Sequence, residues 1–281
     1  MAVSFLNKPY NTLPFNTGKP DAPKGLPSIF KEVEGETNFP AHGGVFFTSN
    51  EFNFVNTLLD LRETPPIGNT LIGVSGLFNF ELFLAREGKG VKYFISIDPD
   101  PSYREFWSEA KQAFSDAKTS DEFIRTFTQR LRARYEEFTP KIRRSINTPD
   151  VYQDWMDILE NNYLPKVFDS AEKYDSVRRL FTEDRFVHFP INLAGDNEHA
   201  ATLTRRMEEN DLIPDTVYIS NVENVISEST EDAFENNVSG LSQSETSNPS
   251  IVINSVWTEH PSGIDVLTQT STIGFTSQYI D

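Results

Sequence analysis

No cysteine occurs anywhere in the 281 residues, which excludes disulfides, thiol nucleophiles and Cys-ligated metal centres. Histidine is almost as scarce. His42, His188, His199 and His260 are the four present, and none stand at a spacing such as His-x-x-x-His, so no metal site is expected. Long apolar runs are missing as well. Nothing approaches the length of a membrane span, and the N-terminus lacks the positive stretch and apolar run of a signal peptide. A cytoplasmic protein with no membrane partner is the expectation. Basic residues are absent from Met207 onward, where 13 acids occur. With a net charge of -17, the surface repels phosphates, so nucleic acid is not an expected partner.

Apolar residues make up 37% of the chain, which is low, but 23 Phe supply large side chains for a core. The length suits one large domain or two small ones. One local exception to the acidity runs from Arg125 to Arg144, with seven basic residues against Glu136 and Glu137. It reads as a solvated helix face docked beside acidic segments, or as a site for an anion.

Residues 1–68 read as an extended segment rich in Pro, Gly and Asn, followed by a helix over TSNEFNFVNTLLDLR. In that helix Phe52, Val55, Leu58 and Leu59 share a face, Thr48 or Ser49 can cap it, and Pro65-Pro66 ends it. The extended part suits a surface wrap or a lid over a ligand. Residues 69–281 alternate strands with helices. The strands expected are TLIGV, VKYFISI, RFVHFPINL, TVYISNV, SIVINSVW, IDVLTQTST and GFTSQYI. Helical spacing fills about 101–183, an insertion after the second strand, and returns in EHAATLTRRMEEN. ENVISESTEDAFENNVSGLSQSETSN is weakly amphipathic, and its second half reads as loop. The fold class expected is α/β: a three-layer, Rossmann-like, mostly parallel seven-stranded sheet with an antiparallel edge.

Ligands of open α/β sheets sit beyond the carboxyl ends of the strands, so the strand tips are the informative residues. Ser75-Gly76 follows the first strand, Asp98 the second, Gly195-Asp196-Asn197 the third, and Ser220-Asn221 the fourth. Small residues at the first tip admit a ligand to the backbone, and an acid at the second accepts hydrogen bonds from a ribose. Asp98 lies 22 residues after Gly76, close to the spacing that role requires.

GVSGLFNF, the acid of FISIDPD, GDN and DTVYISNV together resemble the class I S-adenosylmethionine-dependent methyltransferase fold. The resemblance covers roughly residues 69–100 and 185–280. It implies that Gly73, Ser75 and Gly76 form the turn at the methionine moiety, that Asp98 binds ribose, and that Asp196, with Asn197 beside it, meets adenine. Ser220 and Asn221 would then line the substrate side. The implied partners are S-adenosylmethionine and an unidentified small molecule or protein to be methylated. The family's acid-x-Gly-x-Gly-x-Gly turn is absent, with Leu77 and Phe78 where small residues are usual. A non-catalytic methyltransferase-like binding protein is therefore the alternative. A base is not legible; His188, Tyr218 and Glu223 are the residues to consider. FISIDPD also fits a haloacid-dehalogenase-type phosphatase, whose first Asp attacks phosphorus. That chemistry needs a later Lys, yet none follows Lys173. An NAD-type reading lacks Gly-x-Gly-x-x-Gly.

Overall fold

A computed structural model of the chain describes residues 25–31, 33, 54–134, 156–195, 197–220, 228–242, 250–260 and 263–272. Six strands form one sheet: β1 (Thr70–Gly73), β2 (Tyr93–Ile97), β3 (Phe186–Phe189), β4 (Pro214–Ser220), β5 (Ile251–His260) and β6 (Gly263–Thr272). Their order is β3-β2-β1-β4-β5-β6. The five strands from β3 to β5 are mutually parallel, and β6 pairs antiparallel with β5. Six strands are thus found among the described residues instead of seven, and the seventh candidate, 274–280, lies outside them. β1 and β4 are buried along their whole length. That explains why they read as unbroken apolar runs, as strands covered on both faces do.

β1 is followed by α3 (Phe78–Glu87), and α2 (Phe54–Glu63) precedes it. Between β2 and β3 lie α4 (Pro101–Asp116), α5 (Ser120–Ala133), a π-helical turn at Leu159–Tyr163, α6 (Leu164–Val167) and α7 (Ala171–Thr182). Short polar side chains start the main helices here. Asp100 caps α4 by accepting from the Ser102 amide at 2.9 Å, with Pro101 in the first turn. Thr119 caps α5 through the Glu122 amide, while the Glu122 carboxylate accepts from the Lys118 amide at 2.8 Å. α8 (Asn197–Glu208) leads to β4 and α9 (Glu228–Ser242) to β5. A short helix, α1 (Leu26–Ile29), sits beside β3, where the Leu26 amide donates to the Asp184 carbonyl at 2.7 Å.

The phenylalanines concentrate where α4, α5 and α7 meet the sheet. Phe114 stacks on Phe123 at 3.8 Å and on Phe181 at 4.8 Å between ring centroids. Trp107 lies against Phe94, Phe106 and Phe186. Such ring pairs contribute about 0.5–1.5 kcal/mol each beyond the area they bury.

Two expectations need correction. Val55 and Leu59 of α2 are exposed, and the helix buries Thr57, Leu58 and Leu61 instead; Phe52 lies outside the described residues. The first part of the expected loop, up to residue 242, is instead the end of the 15-residue helix α9, and residues 243–248 lie outside the described residues. Phe234, Val238 and Leu241 recur at helical spacing and are buried in α9. Three arginines of the basic stretch are paired with acids. Arg130 pairs with Glu109 and Asp116, Arg134 with Glu109 and Glu105, and Arg132 with Asp157 and Glu160. Lys141, Arg143 and Arg144 lie outside the described residues.

Candidate ligand site at the strand tips

The strand order turns around between β1 and β4. In open α/β sheets a crevice opens at such a point, beyond the carboxyl ends of the strands. The β1 tip is tied to its neighbour there, since the Val74 amide donates to the Tyr218 carbonyl at 3.0 Å. Both tips carry a backbone in the left-handed region: Ser75 has φ 65° and Ser220 φ 53°. For residues other than glycine this costs on the order of 1–3 kcal/mol and persists only where surrounding contacts enforce it.

Asp98 is one of those contacts. Its Oδ2 accepts from the Ser75 amide at 3.3 Å and its Oδ1 from the Asp100 amide at 3.0 Å. The carboxylate thus bridges the tips of β1 and β2. It is half-buried, and each oxygen keeps a further lone pair for a ligand hydroxyl. Burial pushes its pKa up from 3.8 to about 7; the nearby Asp100 carboxylate adds to this, and the two amides oppose it.

α3 begins directly after the β1 tip, and its first turn is closed locally, the Asn79 amide donating to the Gly76 carbonyl at 3.3 Å and the Phe80 amide to the Leu77 carbonyl at 2.9 Å. Leu77 at its cap position supplies no side-chain hydrogen bond. Leu77 and Phe78 are buried, and Phe78 packs edge-on against Tyr218 at 5.2 Å. They are part of the core.

Gly73, Ser75, Gly76 and Asp98 lie together at the β1 and β2 tips, and the two glycines are buried. A Cβ on Gly73 would stand 1.9 Å from Asn79 Oδ1. The room that glycine makes is taken by the buried Asn79, which donates to the carbonyls of Val74 at 2.8 Å and Gly76 at 2.9 Å. Gly76 is buried too. Of the turn, only Ser75 is partly accessible. Ser220 is buried to 7% exposure at the β4 tip. Asn197 is not drawn into this group; its Oδ1 accepts from Asn237 of α9 at 2.9 Å. Asp196, Asn221 and Glu223 lie outside the described residues. The second acid of FISIDPD, Asp100, is committed to capping α4.

A feature not read from the sequence is the contact of Tyr163 with Glu81. The phenol donates to Glu81 Oε2 at 2.6 Å. Burial raises the pKa of both groups, and Tyr218 adds to the rise at Tyr163. Glu81 is an acid within the apolar run FNFELFLA, which is the local signal that marks it.

A family model described as "Domain of unknown function (DUF7790)" matches residues 46–273. The chain belongs to the DUF7790 family. The DUF7790 match contains every strand tip described above. No curated protein matches the chain. Among solved structures, the rRNA methyltransferase aviRa from Streptomyces viridochromogenes is similar over 84% of this chain and 88% of its own, at 11% identity and a TM-score of 0.33. Likeness at that level says nothing of what this DUF7790 member binds. No helix among the described residues is long and apolar enough to cross a membrane.

Proposed function

We propose that the crevice between the tips of β1, β2 and β4 binds S-adenosylmethionine, and that the protein transfers its methyl group to a small-molecule or protein acceptor. The observation that carries this reading is Asp98. It is an acid at the end of the second parallel strand, partly accessible, beside the switch in strand order and anchored to the first-strand turn. An acid so placed accepts hydrogen bonds from ribose hydroxyls. Methyl transfer asks chiefly for alignment. The methyl carbon passes from the sulfonium to a nucleophile in line with it, leaving a thioether, and the nucleophile sheds its proton.

A second reading, a methyltransferase-like binding module without catalysis, is favoured by the turn itself. Asn79 occupies the space beside Gly73, and Tyr218 is buried against Phe78. Calorimetric titration with S-adenosylmethionine and S-adenosylhomocysteine separates the two readings. For the enzyme, binding that Asp98→Ala weakens by about 1–3 kcal/mol is expected, the cost of unpaired hydrogen-bonding groups. Absence of binding at millimolar ligand sinks the enzyme reading. Binding without release of S-adenosylhomocysteine in the presence of cell extract favours the second.

A further inference from the structure

A second cleft, of about 370 Å³, lies at the opposite margin of the parallel sheet, between α4, the edge strand β3 and α1. Its construction follows from helix geometry. Arg104, Trp107, Ser108 and Lys111 of α4 all line it, and residues three, four and seven apart share one face of a helix. β3 contributes His188 and Phe189, and Phe30 of α1 closes the remaining side, packing edge-on against Phe189 at 5.4 Å.

Two buried polar atoms of the residues lining this cleft have no hydrogen-bond partner. Trp107 is 2% exposed, and its indole Nε1 has no hydrogen-bond partner. His188 engages the Ser96 hydroxyl through Nδ1 at 3.1 Å, while its Nε2 is buried and unpartnered. Buried polar atoms in native structures are nearly always bonded, so two orphans lining one cleft call for an explanation. Arg104 is exposed there and makes no ion pair among the described residues. Lys111 pairs only with the exposed Asp184, at 3.2 Å. The indole N–H and the two cations are donors, and no carboxylate lines the cleft. Phe30, Phe186 and Phe189 supply aromatic rings, beside Pro27 and Val187.

The geometry points to a binding site for a small planar aromatic anion, an aryl phosphate or aryl carboxylate, with its charge against Arg104 and its ring among Phe30, Trp107 and Phe189. This site is separate from the strand-tip crevice. Ser96 lies two residues before Asp98 on β2, and neither Asp98 nor Ser75 lines the cleft.

Titration of the full chain with phenyl phosphate, followed by calorimetry and by the Trp107 indole N–H resonance, tests the assignment. One saturable site is expected, with affinity at least about tenfold above that for phenol or inorganic phosphate alone, since ring and charge are both recognised. The Trp107 N–H signal moves downfield as it gains an acceptor. Arg104→Gln, a change at an exposed position that leaves folding intact, weakens binding about tenfold or more. Benzoate in place of phenyl phosphate distinguishes a carboxylate site from a phosphate site. The proposal is overturned if neither anion binds at about 10 mM, a ligand level weak enough to detect any specific site. It is equally overturned if Arg104→Gln leaves binding unchanged or the Trp107 signal stays still.

Discussion

Arg86 and Asp215 are both wholly buried and paired twice, through Nε to Oδ2 and Nη2 to Oδ1, each at 2.7 Å. The remaining guanidinium donors reach the carbonyls of Leu61, Thr64 and Pro65. The carboxylate also accepts from the Ile67 and Gly68 amides and the Thr216 hydroxyl. This one pair fastens the end of α2, the loop into β1, α3 and the start of β4. Arg86→Met or Asp215→Asn alone leaves the partner without its match in the core, so denaturant unfolding should show a loss of about 3–5 kcal/mol. By contrast, Lys111→Ala breaks only the exposed pair with Asp184 and should cost no more than about 1 kcal/mol. Gly73 gives a second test at this scale. Gly73→Ala should destabilise by about 1–3 kcal/mol through its clash with Asn79. Asn79→Ala removes the clashing atom, so the double variant should lose less than the sum of the single losses, measured as a double-mutant cycle. Asp98 was legible in the sequence because an acid closing an apolar run is a local pattern. The purpose of Gly73 was not, because it depends on Asn79 folding back over the turn. Arg86 and Asp215 stand 129 residues apart, and no spacing rule joins them.

Two neighbouring strands carry groups whose titration pulls stability in opposite directions. Asp98 ends β2 with a pKa pushed from 3.8 to about 7, chiefly by burial. Between those values the folded chain holds a proton that the unfolded chain has released, so the contribution is full at acid pH and is lost as pH rises towards 7. His188 on β3 is pushed down from 6.5 to about 3, first by burial and then by the Arg104 guanidinium. There the unfolded chain takes up the proton first, so stability is lost as pH falls from 6.5 towards 3. Unfolding free energies measured across that range should separate the two. Asp98→Asn should gain on the parent as pH rises towards neutral, and His188→Gln should lose part of the parent's sensitivity to acid. Most elements were readable from periodicity, as the buried stripe of α4 illustrates. α9 was not. Its Asn-Asn, Ser and Gly residues are those of a loop, and tertiary contact overrides that preference. Asn237 there is held by the Leu193 carbonyl and Asn197, and Phe234 and Leu241 are buried.

At the scale of the molecule, the alternation of strands and helices made the parallel sheet legible. The strand order, which places the crevice, had to come from the structure. So did the fate of Arg130, Arg132 and Arg134 in the basic stretch, which pair with acids of α4 and with Asp157 and Glu160. Arg104, exposed on α4, sits elsewhere, at the β3 margin. We propose that the β1–β2–β4 tips, and not that margin, receive the adenosyl ligand. Titration of isotope-labelled protein with S-adenosylhomocysteine, read at backbone amides, is the decisive experiment. The Ser75 and Asp100 amides, both bonded to Asp98, should shift together and saturate, and Asp98→Ala should abolish their response. Shifts confined to α4 and β3, or no saturating shift at all, would contradict the claim.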